Sequence, residues 1–438
     1  MKTLKRAVAI LIVFIMAIST VACGDVIQPG TTQTSTTATT SGGTVYVPST
    51  AKDLTEGVEP DPVKGAELTQ EDIDALYEIY VKFFKSTIVD KNKSSLISPL
   101  SIITALGMVA DGADGETLAQ FETLFGITAE QLDKAINFYS TALSSTEKAK
   151  FESANSIWFT DREDFKANED YIARVLGAYF PSLYTVDFKK SATVDDINGW
   201  VSDHTDGMIK KIVDELDPLT VMVLINAIVF DARWAHEYDE YQVGDAIFHA
   251  YNGTEQTVEM MRSEEYGYIS MKNAQGFSKY YSGNNYKFVA LLPDAGVDVY
   301  DFVEGLDAAS LKTALKGGAG RVAAELPKFS YDYDVTLNSA LKALGLNDAF
   351  DPYRADFTKM ATVEEQNIYI SKVLHKTHID VDEGGTKAAA VTAVIVEATA
   401  AIQPDPIIIT LDRPFVYMIV DCTYNMPIFM GIVSEISD

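Results

Sequence analysis

Apolar and polar positions change rhythm along this chain. Amphipathic spacing around Ile73 to Thr87, and again near Asp170 to Ala178 and Val194 to Thr205, predicts helices, whereas strand-like patterns dominate after Val221. Ahead of these, Lys2, Lys5 and Arg6 precede an unbroken apolar run from Ala7 to Ile18. That run is too short to span a bilayer comfortably and fits the hydrophobic region of an export signal over residues 1–22. Residues 24–66 are rich in Thr, Ser, Gly and Pro and poor in large apolar side chains. They cannot offset the entropy of ordering, which predicts a flexible tether. About 370 residues remain, 67–438, enough for one elaborate mixed α+β domain or two lobes. Its core is expected at Leu100, Ile103, Leu106, Phe230, Phe415, Val416, Phe429 and Ile432.

One stretch stands apart from the rest. Asp380-Val381-Asp382-Glu383 leads through Gly384-Gly385 into Thr386-Lys387-Ala388-Ala389-Ala390-Val391-Thr392-Ala393-Val394-Ile395-Val396, and continues to Gln403 before Pro404 and Pro406. Small and β-branched residues suit a pleated, buried surface, and the glycine pair reaches backbone angles that other residues avoid. Periodicity alone reads this run as a central strand or a buried helix. Left exposed, so long a β-prone segment is an aggregation hazard. If Thr386 points inward, alternation places Thr386, Ala388, Ala390, Thr392, Val394 and Val396 on one face, and both charges, Lys387 and Glu397, on the other.

Charge and cysteine usage narrow the partners. The formal net charge of −28, with Lys and Arg dispersed, argues against nucleic acid or polyanions. Ser19-Thr20-Val21-Ala22-Cys23-Gly24 resembles a bacterial lipobox, although Thr20 stands where an aliphatic residue is usual. Lipidation of Cys23 implies a chain held at the outer side of a bacterial membrane by acyl chains alone; an ordinary cleaved signal implies secretion. Cys422 is then the only cysteine of the domain, expected as a buried thiol in a strand-like run, with no disulfide.

Catalytic constellations are missing. His204, His236, His249, His375 and His378 form no zinc motif, and there is no nucleophile elbow, phosphate loop or dinucleotide fingerprint. Asp195-Asp196 and Glu364-Glu365 are adjacent pairs whose side chains point apart, so they read as solvated faces. No enzyme, metal or cofactor is expected.

From about Leu68 onward the chain resembles the serpin family. The resemblance rests on Glu383, Gly385, Thr386 and Ala388 to Ala390 in the family's hinge order, on Ile97-Ser98-Pro99-Leu100-Ser101-Ile102, and on Leu224 to Trp234 with Asn226 and Trp234 in place. Leu326-Pro327-Lys328-Phe329, Leu344-Gly345-Leu346, Ala355-Asp356-Phe357, Lys372 to Lys376, Arg413-Pro414-Phe415 and Pro427 to Gly431 follow in order. It implies three β-sheets, eight or nine helices and an exposed reactive-centre loop. A target protease attacks the loop, which then inserts as an extra strand of the main sheet and traps the acylated protease. Metastability takes the place of catalysis.

Carried over by position, Ser98, Ser101, Asn226 and His375 form a buried polar cluster under the main sheet, and Trp234 marks where insertion starts. Counting from the hinge by the family's usual interval places the scissile bond between Thr399 and Ala400, within one or two residues. Small uncharged residues there suit a shallow apolar pocket, which implies elastase-like or subtilisin-like serine proteases, or some cysteine proteases, as targets of a monomeric suicide inhibitor. Gly384 departs from the family's larger polar residue, and Val391 interrupts the run of smallest residues. Two other readings are a non-inhibitory serpin and a tethered solute-binding lipoprotein. The second predicts a ligand cleft between lobes and nothing special at 383–403.

Overall fold

The computed structural model describes residues 38–40, 43–46, 48–143, 149–364, 367–386 and 405–436. The early part of the chain forms a small hairpin, β1 (Ala38–Thr40) and β2 (Gly43–Val45), then β3 (Lys52–Asp53), helix α1 (Gln70–Ser86) and β4 (Ser95–Ile97). Helices α2 (Pro99–Asp111), α3 (Gly115–Phe125) and α4 (Ala129–Ala142) precede β5 (Ala149–Thr160), β6 (Lys166–Ala167), α5 (Glu169–Tyr179), β7 (Ser182–Val186) and α6 (Ser191–Asp203). Strands then dominate, as the pattern after Val221 predicts: β8 (Met222–Arg233), β9 (Val243–His249), β10 (Glu255–Glu265), β11 (Tyr268–Met271), β12 (Ala274–Tyr280) and β13 (Tyr286–Pro293). Short helices α7 (Val299–Glu304) and α8 (Ala308–Leu315) lead to β14 (Val322–Pro327), β15 (Phe329–Thr336), α9 (Asn338–Ala343), β16 (Ala361–Thr362) and β17 (Lys372–Val381). β18 (Gly385–Thr386), β19 (Ile407–Thr410), β20 (Phe415–Asp421) and β21 (Pro427–Val433) complete the chain.

Three large sheets result. The main one has the order β15-β17-β18-β8-β5-β7-β3, the second β11-β12-β13-β20-β21-β4, and the third β19-β14-β10-β9. All eight residues named for the core are buried at 4% exposure or less. The predicted helices form with boundaries shifted by a few residues, and Thr69 explains the first of these. Its hydroxyl accepts from the Asp72 amide while Asp72 caps the Thr69 amide, so α1 opens earlier than its apolar spacing begins.

Two layers flank the main sheet. On its inner face α2 is buried along its whole length and packs against β8, β5 and β21. On its outer face α6 lays Ile197, Trp200 and Val201 over Trp158, Val223, Ile225 and Leu374, so one helix covers strands on both sides of the β8–β17 seam. Period-2 alternation produces this division: Val223, Ile225 and Ala227 face α6, while Leu224, Ile228 and Phe230 join the inner core.

The expected tether departs from its description over residues 46–66. β3 pairs antiparallel with β7 at the edge of the main sheet, and Leu54, Asp61 and Ala66 donate their amides to Leu183, Ala173 and Lys134. The Asp196 carboxylate accepts from the Tyr46 hydroxyl (3.0 Å), the Ser49 amide (2.7 Å) and hydroxyl (3.1 Å), and the Thr50 amide (2.8 Å) and hydroxyl (2.5 Å). The expectation of a solvated Asp195-Asp196 pair therefore holds for one partner only. Asp195 is exposed and Asp196 is 1% exposed. Cys422 also differs from expectation, since it follows β20 in a turn and is half-buried rather than lying in the strand.

Candidate functional site

The central strands β8 and β17 are the structural basis of the site. They run parallel and pair directly from Val223↔Lys372 to Ile228↔Thr377. Toward their other ends a third strand lies between them: Thr386 of β18 pairs with Ala232 of β8 and with Val381 of β17. The hinge is thus already seated in the sheet at its first residues, which the expectation of an exposed loop did not include. Gly385 permits this because a Cβ there would stand 2.1 Å from the Ala232 carbonyl oxygen. Thr386 is 2% exposed, points inward, and shares a 2.6 Å hydrogen bond with the Tyr281 hydroxyl.

Body residues hold the backbone just before the seat. The Trp234 amide donates to the Gly384 carbonyl (2.9 Å), its indole Nε1–H to the Asp382 carbonyl (2.9 Å), and the Tyr238 amide to the Glu383 carbonyl (3.0 Å). Asp382 caps the turn by accepting from the amides of Gly384 and Gly385. Lys328 reaches Glu383 at 2.5 Å and Glu259 at 3.1 Å. Burial alone would raise the Glu383 pKa, and the Lys328 ammonium more than offsets it, holding the carboxyl below its ordinary range.

Farther down the seam, His375 and Asn226 stand opposite each other in register. The Ser98 amide donates to His375 Nε2 (3.1 Å), which leaves the ring proton on Nδ1 for Asn226 Oδ1 at 2.6 Å. Asn226 Nδ2 donates to the Ser101 carbonyl (2.8 Å) and to Asn155 Oδ1, and the Ser101 hydroxyl meets that of Ser153 at 3.1 Å. This network joins β17, β8, β5 and α2. Its burial keeps His375 neutral, with a pKa driven down to about 3.

Ser98, Ser101, Asn226 and His375 therefore form one cluster, while Trp234, Glu383, Gly384, Gly385 and Thr386 meet at the top of the same seam. Ala388, Ala389, Ala390, Thr399, Ala400 and Cys23 lie outside the described residues. The sequence reading did not assign Lys328, Tyr238, Tyr281, Ser153 or Asn155. Lys328 stood in a quoted motif without a role; the others sit in unremarkable strand patterns and acquire meaning only by cross-sheet proximity. His378, left unassigned, hydrogen-bonds Asp332 at 2.7 Å on the sheet edge.

The arrangement offers a place for a strand. Among the described residues, no group of three His, Cys, Asp or Glu converges to hold a metal, and no helix is long and apolar enough to cross a membrane.

Comparison with known proteins agrees with this architecture. The family model described as serpin, serine protease inhibitor, matches residues 75–436. An uncharacterized serpin-like protein of Thermococcus kodakarensis is 30% identical over 433 residues, 97% of this chain and 96% of that protein. Plasminogen activator inhibitor 1 of Sus scrofa is 29% identical over 371 residues, 81% of this chain and 90% of that protein. Among solved structures, the thermophilic serpin tengpin in its native state is 41% identical with a TM-score of 0.84, covering 88% of this chain and all of that one. With this match over most of its length and a strand seam between β8 and β17, the chain belongs to the serpin family.

Proposed function

We propose that this serpin is an irreversible suicide inhibitor of serine proteases of elastase-like or subtilisin-like specificity. The observation that carries this reading is the seating of Gly385–Thr386 between β8 and β17 while those strands remain paired below. A protease that acylates the loop near Thr399–Ala400 releases the constraint on its far end. Residues after Thr386 then continue the strand, with Ala388, Ala390, Thr392, Val394 and Val396 inward, and replace the six β8–β17 residue pairs by two new ladders. The inward set is uncharged and small or β-branched, which supports insertion. The chain itself contributes no catalytic group; its part is to convert stored free energy into trapping of the acyl-enzyme. Lipidation at Cys23 would place this activity at the outer face of a membrane, in defence of the cell surface.

The test mixes the domain, residues 46–438, with pancreatic elastase. A complex that survives denaturing electrophoresis, together with a released peptide beginning at Ala400 or within two residues of it, is expected. Cleavage at that position without a complex, by elastase and by subtilisin alike, would return the chain to the non-inhibitory serpins. Mass spectrometry of the membrane fraction, looking for a diacylated Cys23, tests the anchor separately.

A further inference from the structure

Beneath the hinge seat lies a charge that strand insertion does not require. Lys279, on β12, is 2% exposed. Its ammonium meets Glu265 at 2.9 Å and lies over two rings, 4.3 Å from the centroid of Tyr238 and 5.5 Å from that of Trp234. The Ser263 hydroxyl ties the group together, donating to Glu265 (2.7 Å) and lying 3.3 Å from the Tyr238 hydroxyl. Burial works against the lysine's charge, but Tyr238 and Glu265 outweigh it and hold the ammonium protonated, above its ordinary pKa. A methionine of similar length would fill the same space, so packing does not explain a cation there.

The two rings that the ammonium touches belong to the residues that hold the hinge. Trp234 and Tyr238 supply three hydrogen bonds to the carbonyls of Asp382, Glu383 and Gly384. Trp234 also stacks on Tyr281 at 4.5 Å and 12°, and Tyr281 bonds Thr386. One buried cation is thus in contact with both aromatic members of the seat, and one stack away from the first inserted side chain.

We propose that Lys279, paired with Glu265, is a positioning residue that fixes the aromatic seat of the hinge and so sets how promptly the acylated loop begins to insert. The role rests on the inhibitory reading given above. An acyl-enzyme divides between insertion, which traps the protease, and attack by water, which releases it. When the first pair of the new strand is held in place beforehand, insertion extends an existing end. When the seat is loose, that end must form after acylation, and hydrolysis gains time.

The decisive variant is Lys279→Met/Glu265→Gln, which removes both charges while keeping volume, with Lys279→Arg as the conservative counterpart. In the intact, uncleaved protein, amide exchange at residues 384–386 should rise about tenfold or more in the double variant and stay near wild type in Lys279→Arg. With pancreatic elastase, the number of inhibitor molecules consumed per protease trapped should rise severalfold, while the rate of loop cleavage is unchanged because the scissile bond is remote from the seat. A merely structural role would lower thermal stability without moving that partition. Unaltered exchange would overturn the seat, and faster exchange with an unaltered partition would overturn its role in trapping. If the wild type forms no complex with any protease, the inhibitory reading fails by itself, and the exchange measurement still decides whether Lys279 holds the hinge.

Discussion

His375 couples the seam to pH through a single proton. Buried and neutral, it keeps its proton on Nδ1 for Asn226 and accepts from Ser98 at Nε2, so a second proton would break the Ser98 bond and bury a charge. Its folded pKa of about 3 lies below the ordinary 6.5, and the unfolded chain therefore binds the extra proton first as pH falls. Stability from this group is fully present at neutral pH and declines below about pH 6.5, at up to about 1.4 kcal/mol per pH unit until the folded pKa is reached. His375→Gln should be destabilised most at pH 7, with the gap to wild type narrowing toward pH 4 in denaturant titrations of the first unfolding transition. Parallel profiles would remove the linkage. Lys328→Ala should behave differently. Its bridge to Glu383 is 41% exposed on the carboxylate side, so global stability should fall by no more than about 1 kcal/mol, while protease resistance around Asp382–Thr386 drops. A large global loss would mean that the bridge supports more than the hinge.

At the scale of elements, the segment 46–66 shows where sequence reasoning stops. Thr, Ser, Gly and Pro without apolar bulk describe a tether, and composition could not foresee that Tyr46, Ser49 and Thr50 converge on one carboxylate of α6. The signal lay in paired positions far apart. A Cβ at Gly199 would stand 2.4 Å from the Tyr46 ring, and one at Gly177 would stand 1.7 Å from the Asp61 carbonyl oxygen. Each glycine looks ordinary until its neighbour is known. By contrast, α1, α5, α6 and the strands after Val221 were legible because their apolar rhythm faces a continuous core. The polar cluster at Ser98, Ser101, Asn226 and His375 and the Trp234 hinge seat were reached through motif order, not through periodicity. Lys279, Tyr281 and Asn155 were not legible, since strand alternation assigns a face but no partner. Asp196→Ala should release residues 46–50, costing about 2–4 kcal/mol locally because several donors lose one charged acceptor. Limited proteolysis would then cut between Tyr46 and Asp53 while the domain stays folded. The Asp196 carboxyl is held below its ordinary pKa by those donors, against the opposing effect of burial. The attachment should accordingly persist above the unfolded carboxylate pKa and be lost in acid as pH falls through the lowered folded value. Resistance to cleavage in Asp196→Ala would show that β3–β7 pairing alone suffices.

For the whole molecule, the main sheet stands one strand short of its capacity. β8 and β17 pair with each other over six positions and are already separated by Thr386 above them. A strand running on from Thr386 would break one parallel ladder and form two, a net gain on the order of ten hydrogen bonds and about 10 kcal/mol at about 1 kcal/mol each. It would also bury the small apolar face of Ala388 to Val396 against the inner core. For a chain of this size, such a gain corresponds to a rise of about 10–20 °C in midpoint temperature. Calorimetry of the purified protein before and after a single cut near Thr399–Ala400 should show that rise. The direction of the change is diagnostic whatever its size. A cut in an ordinary surface loop enlarges the freedom of the unfolded chain and leaves the folded state no new contacts, so the midpoint falls or holds. Only a fold in which the severed segment has a vacant strand position to occupy becomes more stable when its backbone is broken.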